Sequence, residues 1–511
     1  MYTSTVSTKQ FSSALESRKS STHYFFLFLL LHTLLWTLGT YFARPSLPHD
    51  TLESITWGLQ WQWGYHKHPF LTAWLCAGIF SLFQHADWSL YLLAQVLVTT
   101  TFIAVWYLAK QFLPLRHALI ATLLLEGVLF YNINSFNLTS DTLQSPLWAL
   151  LALFFYHALT TEKIYYWLLT SLLAACCICT KYQGIIFLVP MLFLCLKHPV
   201  ARASFKKAGI YWSMLVFLLL ISPHLIWLYQ HDFITVTYAQ TAAADYTATK
   251  TIWGHLLYPL LALANDLFII VGVFILIWPF YTKNKEQFII SSFQWHFLII
   301  LGFGPVVLTL ILGIFDGDYF PPRWSTPYFF LIGIIVMSYL KPRLTKENIK
   351  KFAISFVLFS SLLFSIRMLS LTVFYKVNND AFLPNKEMAI SLNQLWRERY
   401  HSTLPYIAGS NYLVSLISPY LPDKSKPFLN WQLKENPWVN EMELGKKGAL
   451  FIWDEGINYA WDHDGRITAH LPEWVLYRFP ELIILPNTTF YRLSNNYPLI
   501  IGVAILPPRV V

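Results

Sequence analysis

The sequence predicts a polytopic α-helical membrane protein with about 11 spans, outer juxtamembrane helices and a C-terminal extracytoplasmic α/β domain. Of its 511 residues, 56% are hydrophobic and only 12% are charged, and the mean hydropathy is +0.46. That is more apolar surface than a soluble globule can bury. Apolar runs of spanning length recur up to residue 375, after which polar sequence and short apolar stretches replace them.

The distribution of charge excludes a nucleic-acid-binding protein. The net charge is +9, but Lys and Arg occur in short clusters between apolar runs, which is the pattern of cytoplasmic loops. The five cysteines all lie inside apolar segments. We therefore interpret them as helix-packing residues and not as a metal site.

The apolar segments set the order of the spans. They occur at about 23–42, 69–84, 88–109, 117–132, 142–159, 165–180, 183–196, 209–228, 257–280, 291–313, 327–340 and 352–374. The segment 69–84 is short, begins with Pro69 and follows a charged loop, which is typical of an interfacial helix.

Basic residues decide whether 69–84 crosses. If it lies on the surface, the N-terminal segment and the basic clusters at 197–207 and 341–351 fall on one side, as short cytoplasmic loops require. If it crosses, both clusters fall outside. We therefore predict a cytoplasmic N-terminus and an outer loop, 43–87, that carries the active site.

Two domains follow from this threading. Residues 1–375 form the transmembrane domain, and residues 376–511 form a periplasmic α/β domain large enough for its own core. The stretches "PYIAGS", "GALFIWD", "ELIILP" and "PLIIGVAILPP" predict its strands.

The outer loops collect ionisable residues, namely Asp50, Glu53, Lys67, Asp141, Lys181 and Arg323. Simpler interpretations exist for several of them. Asp50 could be a helix N-cap, with Glu53 completing a capping box, and Asp141 could cap the helix after it. Lys181 could snorkel to the interface, and Trp57 and Trp61 could belong to an interfacial aromatic belt.

The stretch "HDTLESITWGLQWQWGYHKHPFLTAWL" resembles the first outer loop of the polyprenyl-phosphate-sugar glycosyltransferases of the protein-mannosyltransferase-like (GT-C) family, which includes the lipid A aminoarabinose transferases. In that family the loop runs Asp, two residues, Glu, an aromatic stretch, Gly-Tyr, and a Lys before a Pro. Here these positions are Asp50, Glu53, Tyr65 and Lys67. His68 separates Lys67 from Pro69, a variant of the loop that is associated with bacterial members of that family.

Further loops are similar to the same family in the same order. "YNINSFNLTSDTLQSPLWALLALFFYHAL" resembles its second outer loop, with a single Asp at Asp141. "CICTKYQGIIFLVP" resembles its Lys-containing turn, at Lys181 and Tyr182, and "PPRWSTPYFFLIG" its Arg-Trp-x-x-Pro turn, at Arg323.

The resemblance implies an inverting enzyme in the bacterial inner membrane. It would move a sugar from a polyprenyl-phosphate donor to a lipid, glycan or protein acceptor of the envelope, lipid A among them. Such a reaction needs a base for the acceptor hydroxyl and cations for the leaving phosphate. We assign the base to Asp50, with Glu53 and Asp141 as alternatives, and the phosphate to Lys67, Lys181 and Arg323.

Partial desolvation by Trp57 and Trp61 is expected to raise the pKa of Asp50 towards working pH. These tryptophans could also stack on sugar. The resemblance makes Tyr65, His66, His68 and Tyr182 the remaining substrate-binding candidates.

No cofactor is certain from the sequence. A divalent metal shared by Asp50 and Asp141 is possible, although the loops lack a dense ligand cluster. The alternative function is a multi-span solute transporter. That class predicts ionisable residues at mid-membrane and paired repeats, and the sequence indicates neither.

Overall fold

The computed structural model describes residues 8–243, 247, 251–281, 284–374, 380–455, 471–494 and 497–509. A helical bundle occupies the chain up to Phe374, and a small mixed sheet with helices occupies the remainder. The predicted fold class is therefore confirmed. The predicted domain boundary at 375–376 begins a stretch outside the described residues.

Apolar sequence builds the bundle. Its α-helices are α1 (Thr8–Ala43), α2 (His49–Gly58), α3 (Leu71–Leu82), α4 (Trp88–Ala109), α5 (Leu115–Leu123), α6 (Ser140–Thr161), α7 (Ile164–Thr180), α8 (Gly184–Lys197), α9 (Pro199–Arg202), α10 (Ala208–Gln230), α11 (Ile234–Thr241), α12 (Gly254–Ile269), α13 (Val271–Ile277), α14 (Ser292–Asp316), α15 (Ile332–Leu340) and α16 (Lys346–Leu369). Within the described chain, 7 helical segments are long and apolar enough to cross a membrane, or 8 if the bent pair at 184–206 is one span. The multi-span domain is thus confirmed, and the count of about 11 stays a prediction.

Helix α3 is shorter than a full membrane span. Its 12 residues extend about 18 Å at 1.5 Å per residue, against a hydrocarbon core of about 30 Å. It packs along α2 instead. This geometry agrees with the interfacial position predicted for 69–84.

The α-helix is interrupted after α5, and the chain continues from there into the second outer loop. Two 3-10 turns, Leu124–Gly127 and Leu129–Tyr131, continue α5. A Cβ on Gly127 would lie 2.3 Å from the backbone nitrogen of Val273, so only glycine allows α13 to approach this closely. The loop that follows, 132–139, carries the polar residues that precede α6.

The C-terminal domain contains α17 (Asn385–Tyr400), β1 (Tyr406–Gly409), α18 (Asn411–Ile417), β2 (Lys426–Leu429), α19 (Glu441–Lys447), β3 (Ala449–Asp454), α20 (Glu473–Arg478), β4 (Ile483–Tyr491) and β5 (Pro498–Leu506). The strand order is β2-β1-β3-β5-β4. Strand β1 runs parallel to β2 and β3, whereas β5 runs antiparallel to β3 and β4. Strands β1, β3 and β5 lie in the stretches that predicted them, and β4 begins in "ELIILP" and continues to Tyr491. Strand β2 was missed because the proline in "KPFL" weakens the strand pattern.

The sheet domain docks on the outer loop of the bundle. Helix α18 packs against α2, and the ring of Tyr412 stacks on that of His49 with centroids 4.4 Å apart. Arg44, just after α1, pairs with Asp380 at 2.5 Å. The N-terminus of α18 therefore lies beside the predicted active-site loop.

Candidate active site

A cavity of about 1110 Å³ lies where helix ends of the bundle meet the sheet domain. The end of α1, the starts of α6 and α8, and the ends of α7, α14 and α16 all contribute to it. The membrane topology predicted from the sequence places these same helix ends on the outer side of the membrane. Its charged and imidazole lining comprises Arg44, His49, Asp50, Glu53, Lys67, His68, Asp141, Lys181, Arg323, Arg367, Asp380 and Arg492.

Asp50 belongs to the first turn of α2 and faces this cavity. Pro48 occupies the N-cap position, and α2 has no side-chain cap, so the capping-box interpretation of Asp50 and Glu53 is wrong. One carboxylate oxygen of Asp50 lies 3.6 Å from the guanidinium of Arg323. It also accepts a hydrogen bond of 3.3 Å from the amide of Asn137.

The expected rise in the pKa of Asp50 is wrong in direction. Burial does raise that pKa, but the hydrogen bond from His49 and the charges of Arg323 and Lys67 outweigh it. The pKa of Asp50 is therefore held below its ordinary value. The sequence did not reveal this because Arg323 comes from a distant segment and the positions of the His49 and Lys67 side chains are set by the fold.

Lys67 is held by Glu53. Its ammonium lies 3.1 Å from a Glu53 carboxylate oxygen, and both side chains are largely buried. The side-chain amide of Asn411, from the sheet domain, donates to the same oxygen. Glu53 is thus the counter-ion of Lys67, an arrangement that leaves it poorly placed to accept a proton from an acceptor.

A tight turn presents Lys67 and His68. The amide of Tyr65 donates to the carbonyl of His68 at 3.0 Å. A Cβ on Gly64 would approach the ring of Trp227 to 2.4 Å, so this position needs glycine. Burial, followed by the charges of Lys181 and Lys67, lowers the pKa of His68 to about 3. His68 is therefore a neutral imidazole at neutral pH.

Asp141 and Lys181 form the third pair, with Oδ1 and Nζ 2.6 Å apart. Thr139 caps α6 by accepting from the amide of Thr142, so the capping interpretation of Asp141 is also wrong. Burial lowers the pKa of Lys181 below its ordinary value, although Asp141 opposes the shift. Lys181 points into the cavity, 4.9 Å from the centroid of the Trp324 ring, and does not snorkel.

The three ion pairs differ in exposure. Lys67 and Glu53 are 14% and 7% exposed, and Lys181 and Asp141 are 14% and 10% exposed. Arg323 and Asp50 are 51% and 37% exposed, and they form the longest of these contacts. Asp50 is therefore the carboxylate that an incoming substrate separates most easily from its cation.

Tyr182 also lines the cavity, and its hydroxyl contacts Nε2 of His224 at 2.8 Å. Four predicted substrate-binding residues do not line it. Trp57 and Tyr65 are buried and stack on each other, Trp61 is exposed and packs near Trp74, and His66 faces Glu435 at 3.9 Å. These four therefore lie outside the cavity, and substrate contact by any of them stays a prediction.

Sequence reasoning missed several cavity residues. Arg44 and Arg367 lie over the Phe136 ring, with guanidinium carbons 5.5 Å and 4.0 Å from its centroid. Arg44 directly follows α1, and Asn137 precedes Asp141 by four residues, so proximity to predicted loops was an available signal. Arg492 lies in the sheet domain, and no local pattern relates it to the bundle.

The structure also corrects the absence of ionisable residues in the membrane domain. His32 of α1 and Glu126 lie 3.2 Å apart, with 2% and 1% of their side chains exposed. Neither lines the cavity described above. In the described residues, no group of three or more His, Cys, Asp or Glu side chains is close enough to hold a metal ion, and a divalent metal shared by Asp50 and Asp141 stays a prediction.

Comparison with known proteins supports the resemblance to the GT-C glycosyltransferases that the loop sequences predicted. Residues 67–227 match the family model of dolichyl-phosphate-mannose-protein mannosyltransferases, a segment that contains Lys67, Asp141 and Lys181. Comparison by sequence with curated proteins finds no match.

The fold is similar to that of the ArnT protein of Cupriavidus metallidurans. The sequence of that protein is 12% identical to this one. Its crystal structure bound to undecaprenyl phosphate superimposes with a TM-score of 0.60, covering 94% of this chain and 98% of that chain. The apo crystal structure gives 12% identity and a TM-score of 0.56 over 95% and 98%.

Proposed function

We propose that this chain is an inverting glycosyltransferase that takes a sugar from a polyprenyl-phosphate donor and passes it to an acceptor of the cell envelope. One observation carries the proposal. A relatively open carboxylate, Asp50, shares a cavity with the cations Lys67, Lys181 and Arg323. The fold shared with a protein crystallised with undecaprenyl phosphate supports the donor class.

The reaction divides the charged residues into two roles. An acceptor hydroxyl attacks the anomeric carbon from the face opposite the phosphate, and its proton passes to Asp50 as the new C–O bond forms. The bond between that carbon and the phosphate oxygen breaks, and polyprenyl phosphate leaves with the bonding electron pair. Lys67, Lys181 and Arg323 stabilise the negative charge on that leaving group.

The lowered pKa of Asp50 fits this sequence of events. In the free site the hydrogen bond from His49 and the charge of Arg323 keep the carboxylate ionised and ready to accept a proton. A bound phosphate competes for Arg323, which weakens the interaction that lowers the pKa of Asp50. Asp50 then becomes a stronger base only when the donor is present.

The proposed location is the bacterial inner membrane, with the N-terminus in the cytoplasm and the sheet domain in the periplasm. The acceptor is a lipid such as lipid A, a glycan or a protein. A transporter has less support, because the buried His32–Glu126 pair does not line the cavity.

Asp50→Asn tests the proposal. The substitution keeps size and hydrogen bonding but removes the proton acceptor, so turnover should fall by roughly 100-fold or more. Mass spectrometry of envelope lipids and glycans, from cells with the parent chain, the variant or no chain, measures the product. Asp232→Asn is the matched control, because Asp232 is exposed with φ of 52°, a conformation that Asn tolerates.

Product formation by well-folded Asp50→Asn at the parental level would remove Asp50 from the mechanism. A glycolipid and glycan profile that does not depend on the parent chain would reject sugar transfer to the envelope.

A further inference from the structure

A closed network of buried polar side chains joins the sheet domain to Lys67. Starting at Lys67, the contacts run to Glu53 at 3.1 Å and from Glu53 to the side-chain amide of Asn411. The backbone amide of Asn411 then donates to Asn430 at 2.8 Å. Asn430 donates to Glu435 at 2.8 Å, and Glu435 lies 3.9 Å from His66, the residue before Lys67.

The sheet-domain members of this network are inaccessible to solvent. Asn411, Asn430 and Glu435 are 8%, 7% and 8% exposed. Buried polar groups persist where they are fully bonded, and such networks hold one side-chain arrangement against alternatives. The network encloses the turn that presents Lys67, so it restricts where the ammonium can lie.

Asn411 is the residue on which the two domains converge. Its side-chain nitrogen binds Glu53, its side-chain oxygen accepts from the hydroxyl of Ser415 at 3.3 Å, and its backbone amide binds Asn430. All of its side-chain polar atoms are therefore engaged. Because Asn411 is also the first residue of α18, its position is fixed by the fold of the sheet domain.

We infer that Asn411 is a positioning residue for the donor phosphate: through Glu53 it sets the place of the Lys67 ammonium, so that the sheet domain is a working part of the phosphate site. The inference rests on the proposed function, since it assigns Lys67 to a lipid phosphate. Asn411 lines the same cavity but acts through Glu53.

A double-mutant cycle on the full-length protein in lipid nanodiscs tests the inference, with undecaprenyl phosphate as the probe and its equilibrium binding as the readout. Asn411→Ala should weaken binding about tenfold when Lys67 is present, the size expected from loss of a hydrogen bond to a charged group. In a Lys67→Ala background the same change should have almost no effect, because no ammonium remains to be positioned.

Asn440→Ala is the matched control. Asn440 caps α19 in the same domain by accepting from the amide of Glu443, and it is not among the cavity residues. This variant loses a stabilising side chain without touching the network, so its affinity for undecaprenyl phosphate should equal that of the parent.

The outcomes separate the inference from the function beneath it. Parental affinity in Asn411→Ala, or an equal loss in both backgrounds, overturns the positioning role. A parent chain that does not bind undecaprenyl phosphate overturns the proposed donor class and the inference with it. Weakening that requires Lys67 supports both.

Discussion

At the scale of single residues, the site pairs each of three carboxylates with a different cation. Glu53 with Lys67 and Asp141 with Lys181 are close and largely buried, and Asp50 with Arg323 is looser and open. Separating a buried pair leaves an uncompensated charge and is costly, whereas an exposed pair exchanges partners at little cost. The geometry thus ranks Asp50 above the two alternative bases, a distinction that residue type cannot make.

The Arg323 charge should set the acid limit of activity. Arg323→Gln removes a cation that favours the ionised form of Asp50, so the pKa of Asp50 should rise. The acid limb of kcat/KM, which reports the free enzyme, should then move to higher pH. In the parent it should lie below about 4, the ordinary value for an aspartate.

The lowered pKa of Asp50 also makes the stability of the folded protein depend on pH. A depressed pKa in the folded state stabilises the protein above the unfolded-state pKa, and this contribution is lost as pH falls through the folded-state value.

Arg397→Gln is the control for the activity profile of Arg323→Gln, since Arg397 pairs with Asp423 on the sheet domain. A pH profile equally displaced in both variants would show that Arg323 has no specific coupling to Asp50.

At the scale of elements, the sequence predicted what periodicity and loop charge determine. The long apolar helices, the short apolar helix α3 and four of the five strands follow from local patterns. The network through Asn411 could not be predicted, because Glu53 and Asn411, where its two halves meet, are 358 residues apart and neither lies in a pattern that relates it to the other. The same limit explains why Trp57, chosen for its type, proved to be a core residue.

The surface position of α3 has a topological consequence. Gln84, after α3, and Gln111, after α4, are both exposed, and the predicted threading puts them on opposite sides of the membrane. A membrane-impermeant maleimide should label Gln84→Cys in intact cells and Gln111→Cys only after permeabilisation. The parent chain is the control, because its five cysteines lie within helices α3, α7 and α8.

Labelling of both positions from outside would require α3 and its neighbours to be threaded differently. Protection of both in intact cells would also contradict the predicted order, because Gln84 would then share the side of Gln111.

At the scale of the whole molecule, the two domains are joined by polar contacts at the rim of the cavity. Arg44 is 3% exposed, pairs with Asp380 at 2.5 Å and donates from Nε to the carbonyl of Ser46 at 3.0 Å. Asp380 also accepts from the backbone amide of His49 at 3.1 Å. The end of α1, the start of α2 and the entry to the sheet domain are therefore tied at one carboxylate.

Asp380→Asn should loosen that junction. The change leaves the buried Arg44 guanidinium without its anionic neighbour, and breaking a fully buried pair costs about 3–5 kcal/mol. Because Asp380 is 25% exposed, we expect a smaller loss, on the order of 2 kcal/mol. Thermal unfolding in detergent, followed by intrinsic fluorescence, should show a lower Tm.

Glu347→Gln, which breaks the exposed pair with Lys351 on α16, should leave Tm nearly unchanged. An equal Tm in Asp380→Asn and the parent would mean that the carboxylate does not hold the domains together, and the junction would then depend on the packing of α18 against α2.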